Sequence, residues 1–247
     1  MIRIRKFLIA TTALVVLGVA VLIIAGPAIQ RAIFYPTPRN LPVVVSQTTD
    51  DLLVRLQVVL ETNAPMVAKS LRPGLTDAQI LALEKQGGFH LSEDLKSLYR
   101  WHNGMEITNT FGLLPGECWF PLDELVREQT FERQQLQAAS LAQRVAYAIL
   151  VGYRKKWVHI LDDGAGDGYF YDAERSDGAG AFFHHMAEGG DYEWFPSLRN
   201  FLAGTIECYE SKAFKTAVIN GKLGLQEDAE QTQKIWRRVA KSSDGGN

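Results

Sequence analysis

An acidic, glycine-rich run in the second half of the chain has the residue types of a calcium-binding loop. Asp163, Asp167, Gly168 and Glu174 fall at loop positions 1, 5, 6 and 12. Position 3 is Ala165, which offers no side-chain oxygen, and both flanks have the composition of strands rather than helices. Glycine and aspartate are also the residues that a hairpin turn requires. We therefore predict a hairpin turn over residues 162–167 and no metal site.

Two adjacent histidines, His184 and His185, are a second candidate for metal binding. Neighbouring side chains on a strand point to opposite faces, so this pair cannot close on one ion. No further ligand is identified by spacing. We predict half-buried histidines beside Phe182 and Phe183.

The chain lacks the short motifs of nucleophilic and nucleotide-dependent enzymes. It contains no G-x-S-x-G elbow, no Walker loop and no G-x-G-x-x-G run. Cys118 and Cys208 are not in a context typical of reactive thiols, and two cysteines cannot form a four-thiolate zinc site. Their pairing in an oxidising compartment stays open. We expect no catalytic residue and no cofactor.

Charge is unevenly distributed along the 247 residues. The net charge is −2, but residues 1–45 hold five basic side chains and no acidic one. The remaining residues carry 21 basic and 28 acidic groups, a net charge of −7. Because non-specific nucleic-acid binding depends on neutralising phosphates, we expect no nucleic-acid partner.

The segment Phe7–Ala25 contains nineteen residues without a charge. A helix needs roughly 20 apolar residues to cross the hydrocarbon core of a bilayer. The alternative is a cleaved signal peptide, with Gly26 and Ala28 at the small positions of its cleavage site, although this apolar run is longer than such peptides require. We predict a membrane anchor.

Basic residues set the expected orientation of this anchor. Three of them precede the apolar segment and two follow it, at Arg31 and Arg39. The positive-inside rule then predicts a single-pass protein of a bacterial inner membrane, with its folded part outside the cytoplasm. The proline-containing residues 26–45 are expected to form an extended stalk.

Beyond the stalk, capping signals predict a series of helices. Thr48 or Thr49, Thr76 and Ser92 are each followed by the residues of a helix start. The predicted helix ends are Asn63-Ala64-Pro65, Gly87-Gly88 and Asn103-Gly104. A polar helix is expected between Leu122 and Arg144, and a final core helix opens at Pro196-Ser197.

Short aromatic or β-branched runs between these helices predict strands. They are Phe111 to Leu114, Trp119-Phe120, Ala148 to Val151, Trp157 to Leu161, Gly168 to Tyr171 and Ala181 to Met186. Helices first, strands next and a closing helix favour an α+β fold. The predicted organisation is a basic tail at 1–6, a membrane helix at 7–25, a stalk at 26–45, a leading helix at 46–74, one domain at 75–215 and a polar tail at 216–247 with a short basic helix.

The segment Trp101-His102-Asn103-Gly104, with Trp119 downstream, marks a helix end that turns into the sheet. Its aromatic residues either fill the core, which is the default expectation, or form the rim of a groove. These residues belong to a longer pattern: LSEDLKSLYRWHNGMEI, FGLLP, WFPLDEL, ILVGY, DDGAGDGYFYDAE and WFPSLRNFLAGTIECY. In this order, from about Leu75 to Phe214, they resemble the Smi/Knr domain of the SUKH superfamily.

The resemblance implies an α+β fold that binds proteins and has no catalytic residues. It also implies a role as an immunity protein of a toxin system or as a scaffold of the cell envelope, with a toxin or an envelope protein as partner. The alternative is an envelope hydrolase that holds a metal with Asp162, Asp163, Asp167 and a histidine. The expected partner-binding residues are Trp101, His102, Asn103, Trp119, Asp162, Asp163 and Asp167.

Overall fold

The computed structural model describes residues 40–106, 112–150, 154, 156–175, 181–186, 192–219 and 221–242, together with scattered positions between 18 and 38. The described chain forms two compact units. One comprises Thr37–Thr130 and Trp157–Asn247, and the other comprises Met1–Pro36 and Phe131–Lys156.

Helices precede most of the strands, and both classes are well represented, so the predicted α+β class is confirmed. In chain order the elements are α1 (Thr49–Asn63), α2 (Pro65–Ser70), β1 (Leu71–Pro73), α3 (Asp77–Gly87), α4 (Glu93–Trp101), β2 (His102–Met105), β3 (Cys118–Trp119), α5 (Leu122–Ala138), α6 (Leu141–Leu150), β4 (Trp157–Asp162), β5 (Gly168–Asp172), β6 (Phe182–His185), β7 (Tyr192–Phe195), α7 (Leu198–Glu210), β8 (Phe214–Ile219), β9 (Lys222–Glu227), α8 (Ala229–Val239) and β10 (Lys241–Ser242).

The smaller unit contains α6 and helical positions between 18 and 33. Ser140 caps α6, since its hydroxyl accepts a hydrogen bond from the backbone N–H of Gln143 at 3.3 Å. The predicted strand from Ala148 to Val151 is wrong at residues 148–150, which form the last turn of α6. Val151 lies outside the described residues. A short apolar run cannot by itself distinguish a strand from the end of a capped helix.

The predicted membrane segment falls largely outside the described residues. Its described positions, all helical, are Gly18, Ala20, Val21, Ile24 and Ala25. Within the part of the chain that the structure describes, no helix has both the length and the apolar character needed to span a bilayer.

In the larger unit, the predicted helix starts are confirmed. The hydroxyls of Thr48, Thr76, Ser92 and Ser197 each accept a hydrogen bond from a backbone N–H in the first turn of the helix that follows. Each bond satisfies one of the N–H groups that a helix start leaves without an intrahelical acceptor. Gly88 ends α3 in the left-handed conformation, as expected.

The end of α4 differs from the prediction. The helix ends at Trp101, and His102–Met105 form the strand β2, which pairs antiparallel with β1. Gly104 has a φ of +69°, but within this strand rather than in a helix cap. A Cβ at Gly104 would lie 2.4 Å from the Pro121 nitrogen, so glycine is required by the close approach of that backbone. The predicted C-cap at Asn103-Gly104 is therefore wrong.

Six strands form an antiparallel sheet in the order β10-β7-β6-β5-β4-β3. The predicted strand from Phe111 to Leu114 is wrong in its described part, because Leu114 forms only an isolated bridge with Glu117. Phe111 itself lies outside the described residues. The predicted hairpin is confirmed: β4 pairs with β5 across a turn over residues 163–167.

One face of this sheet packs against α7. The ring of Phe201 lies 4.8 Å from the ring of Tyr169, 4.9 Å from that of Phe182 and 5.7 Å from that of Phe195, and all four side chains are buried. Helix α1 packs against α7 as well. The hydrophobic core therefore lies between this face of the sheet and α7.

Residues beyond the expected domain end are also structured. β8 and β9 form a two-stranded hairpin, α8 contacts α7, and β10 joins the edge of the six-stranded sheet beside β7. The basic helix expected near residues 234–241 corresponds to α8, whereas the hairpin in the segment read as a polar tail was not predicted.

Candidate functional site: an acidic corner of the sheet

The β4–β5 turn presents three carboxylates at one end of the sheet. Asp163 is exposed, and Asp162 and Asp167 are half-buried. Asp163 Oδ1 accepts hydrogen bonds from the backbone N–H groups of Ala165 at 2.7 Å and Asp167 at 3.1 Å. The backbone N–H of Gly164 donates to Asp162 in the same way. The carboxylates therefore both fix the turn and place negative charge at the surface.

A fourth carboxyl group, that of Glu117, lies beside this turn. Glu117 directly precedes β3, whose Cys118 pairs with Asp162 of β4. Its Oε2 atom is inaccessible to solvent and has no hydrogen-bond partner. Burial raises the pKa of Glu117 well above its ordinary value, and the charges of Asp163, Asp162, Asp167 and Glu227 raise it further. We call Glu117, Asp162, Asp163 and Asp167 the acidic corner.

The side chain of His184 also lies close to Glu117. Its Nε2 lies 3.6 Å from Glu117 Oε1, and its ring stacks on Tyr169 at 4.6 Å. Burial lowers the pKa of His184 to about 4, although Asp167 and Asp163 act in the opposite direction. A pKa of about 4 leaves the His184 ring uncharged at neutral pH. The contact is therefore not an ion pair at neutral pH.

The predicted divergence of the two histidines is confirmed. Unlike His184, His185 is fully buried, and its ring stacks on Tyr192 at 4.8 Å. His184 lies on the opposite face of β6 from His185, beside Glu117 of the acidic corner. The alternation of side chains along a strand predicted that the two histidines point to opposite faces. It gave no sign that His184 would lie beside the carboxyl group of Glu117.

The two tryptophans of the predicted site have different environments. Their rings stack at 5.9 Å with an interplanar angle of 18°. Trp119 is fully buried in the core, so its ring is not available to a partner in this structure. Trp101 is half-buried and packs against the core. Of the two predicted anchors, Trp101 alone retains accessible surface.

Asn103 and His102 are engaged in holding the fold together. The Oδ1 atom of Asn103 accepts from the backbone N–H of Leu122 at 2.8 Å, and its Nδ2 donates to Asp123 Oδ1 at 2.6 Å. Asn103 therefore caps the start of α5 from a buried position. His102 Nδ1 donates to the carbonyl of Arg72 at 2.7 Å, and burial lowers the pKa of its ring.

Strand β3 joins these two groups of predicted site residues. Trp119 stacks on Trp101 and pairs with Leu161, while its neighbour Cys118 pairs with Asp162. The sequence missed Glu117, because a glutamate after Pro115-Gly116 has the appearance of an exposed turn residue. Only the tertiary structure shows that one oxygen of its carboxyl group is shielded from solvent beside the Asp162–Asp167 turn.

The described residues bring together no group of three His, Cys, Asp or Glu side chains with an arrangement that could hold a metal ion. The carboxylates of Asp162 and Asp163 accept hydrogen bonds from backbone amides of the turn, as in a hairpin turn. Cys118 and Cys208 are not joined by a disulfide in this structure; the first is half-buried and the second is buried. The hydrolase alternative therefore gains no support from the geometry.

Comparison with protein families identifies the class to which this fold and site belong. Residues 74–204, more than half of the chain, match the SMI1 / KNR4 family (SUKH-1). The chain therefore belongs to this family, and all seven predicted site residues lie within the matched region. A comparison with curated proteins finds no match.

Proposed function

We propose that this protein is a non-enzymatic, membrane-anchored protein-binding module, of the toxin-immunity or envelope-scaffold type. Family membership is compatible with a protein-binding role. The observation that carries the proposal is the acidic corner, where the three carboxylates of the β4–β5 turn lie at the surface beside Glu117. The expected partner is a toxin or an envelope protein with a basic contact surface.

The charges of the corner support a basic partner. Complementary charge accelerates the diffusional encounter of two proteins, and it does so more strongly at low ionic strength. Glu117 Oε2 has no hydrogen-bond donor within the described protein. Because this oxygen is shielded from solvent, the accessible carboxylates of Asp162, Asp163 and Asp167 are the groups that an arginine or lysine of the partner would contact.

The partner surface is proposed to extend to the exposed part of Trp101. Tryptophan contributes disproportionately to binding free energy at interfaces because it buries a large, rigid ring. Asn103 and Trp119 support this surface from inside the fold. Asn103 fixes the start of α5, and Trp119 stacks on Trp101. His102 is positioned by the Arg72 carbonyl and supports the same backbone.

The membrane part of the proposal rests on the uncharged segment Phe7–Ala25 and its flanking charges. It places the folded domain outside the cytoplasm of a bacterial cell, at the inner membrane. A C-terminal alkaline phosphatase fusion to the full chain is then active, and a C-terminal GFP fusion is dark. The reverse pattern would place the domain in the cytoplasm.

The binding role is tested by affinity capture with the full chain, cross-linked in the cells that produce it. The variant Asp162→Lys/Asp163→Lys reverses the corner, and Glu106→Lys/Glu128→Lys reverses two exposed carboxylates outside it. We expect the first variant to lose a partner that the wild type and the second variant both retain. Equal recovery by all three proteins would place the binding surface elsewhere.

A further inference from the structure

A row of stacked rings lies on the six-stranded sheet beside the acidic corner. The ring of His159 lies 4.0 Å from that of Phe170, with an interplanar angle of 11°, and 6.0 Å from that of Phe120, with an angle of 26°. His159 belongs to β4, Phe170 to β5, and Phe120 directly follows β3. All three side chains are half-buried, so the row presents aromatic surface to solvent. We call Phe120, His159 and Phe170 the aromatic shelf.

The shelf adjoins the carboxylate of Asp162. His159 Nδ1 lies 3.2 Å from Asp162 Oδ2, which places the two side chains on one face of the sheet. Burial lowers the pKa of His159, so its ring is uncharged at neutral pH and leaves the charge of Asp162 in place. The charges that act on the His159 ring, those of Asp162 and Asp163, are both negative. A cation that contacts the shelf is therefore attracted by these carboxylates.

Asp162 has acceptor capacity beyond its contacts within the domain. Its Oδ1 accepts a hydrogen bond from the backbone N–H of Gly164, and its Oδ2 lies beside His159. The two oxygens of a carboxylate offer about four acceptor positions in all. Asp162 can therefore hold the turn and accept from a donor of a partner at the same time.

At the other end of β5, the same face of the sheet already holds an arginine between a carboxylate and a ring. Arg175 Cζ lies 5.3 Å from the centroid of the Trp194 ring, and Arg175 Nε lies 3.5 Å from Asp172 Oδ2. Phe170 pairs in register with Phe183, and Phe183 pairs with Trp194, so these three rings share one face. The shelf and its neighbouring carboxylate offer the same two kinds of group.

We infer that the aromatic shelf and Asp162 receive an arginine side chain of the basic partner, with its guanidinium stacked on the rings and donating to the carboxylate. A guanidinium is planar, weakly hydrated and donates in a fixed fork, whereas the ammonium of lysine is a compact, strongly hydrated charge. The rings therefore make this surface selective for arginine over lysine. The inference rests on the proposed function and adds to it the side chain by which the partner is recognised.

Two peptides of equal charge test this selectivity in the full chain, kept in an uncharged detergent. Fluorescein-labelled hexa-arginine and hexa-lysine are titrated at low ionic strength, and fluorescence anisotropy gives the two dissociation constants. We expect the wild type to bind hexa-arginine more tightly. Phe120→Leu and Phe170→Leu, made separately, should each reduce this advantage by roughly threefold to fivefold, the size of a cation–π contact at an exposed site.

Phe131→Leu is the matched control, because Phe131 lies on α5 outside the shelf and is 61% exposed. It should keep the wild-type ratio of the two dissociation constants. Thermal unfolding identifies a shelf variant that fails to fold, in which case the other carries the test. An equal reduction in Phe131→Leu, or an unchanged ratio in every folded shelf variant, would overturn the inference.

The outcome for the shelf is separable from that for the proposed function. Asp162→Lys/Asp163→Lys should weaken the binding of both peptides. If the wild type binds both peptides equally and this variant binds neither, the aromatic shelf is overturned while the acidic corner remains a surface for basic partners. A preference for arginine that the shelf variants lose supports the inference even where affinity capture recovers no partner, a result that contradicts the proposed function alone.

Discussion

Asn103 and Asp163 are both polar members of the predicted binding set, but the fold uses them differently. Both polar atoms of the Asn103 amide bind within the domain, to Leu122 and Asp123, and the residue is buried. Asp163 accepts two hydrogen bonds from its own turn and remains exposed. A polar residue that has both amide atoms engaged inside the fold stabilises it, whereas an exposed carboxylate still presents charge to a partner.

The largest effect that we expect is the loss of stability when a buried side chain of the predicted binding set is truncated. Trp119→Ala removes a fully buried ring that stacks on Trp101, and we expect a loss of about 4 kcal/mol in the free energy of unfolding. Denaturant unfolding measures it. Trp101→Ala is the matched control and should cost less, because that ring is half-buried. Equal losses would mean that the two rings contribute equally to the core.

The next largest effect is the contribution of His184 to the pH dependence of the free energy of unfolding. Its folded-state pKa is about 4, below the ordinary 6.5, so the unfolded chain binds this proton first as the pH falls. The stabilisation is therefore present above pH 6.5 and is lost as the pH falls towards 4, by about 3 kcal/mol in all. We expect His184→Gln to flatten the dependence of unfolding free energy on pH across this window.

His90→Gln is the control for removing an imidazole, since His90 is 89% exposed. It reports the effect of a histidine-to-glutamine exchange at the surface on the free energy of unfolding. If His184→Gln also keeps the wild-type slope between pH 6.5 and 4, the lowered pKa assigned to the half-buried His184 ring is contradicted.

Exchanging the amide of Asn103 for a carboxylate, and the carboxylate of Asp163 for an amide, tests the different roles of the two residues. Asn103→Asp replaces the donor to Asp123 with a second carboxylate oxygen, and we expect a loss of about 2 kcal/mol. Asp163→Asn keeps an oxygen that can accept from Ala165 and Asp167, so its effect should stay within about 0.5 kcal/mol. Thermal unfolding at neutral pH compares the two. If Asp163→Asn lost more stability than Asn103→Asp, then Asp163 rather than Asn103 would be the residue that stabilises the fold.

Local signals in the sequence predicted the local structure well. Thr48, Thr76, Ser92 and Ser197 each cap a helix, because capping depends on only a few neighbouring residues. The turn at residues 162–167 was predictable for the same reason, since glycine and aspartate suit its backbone. These features do not depend on distant parts of the chain.

The errors arose where distant contacts decide the structure. Gly104 has the positive φ expected of a helix cap, but it is glycine because the Pro121 backbone approaches it. Residues 148–150 are apolar like a strand, yet they complete the helix capped by Ser140. Glu117 gave no local sign of burial, so the central carboxyl group of the candidate site was not predicted.

The most direct test of the proposed function is the association rate of the full chain with its captured partner at low ionic strength. We expect Asp162→Lys/Asp163→Lys to slow association strongly, while Glu106→Lys/Glu128→Lys leaves the rate close to that of the wild type. Added salt should slow the wild type towards the corner variant. Equal association rates for all three proteins would contradict the assignment of the acidic corner as the binding surface.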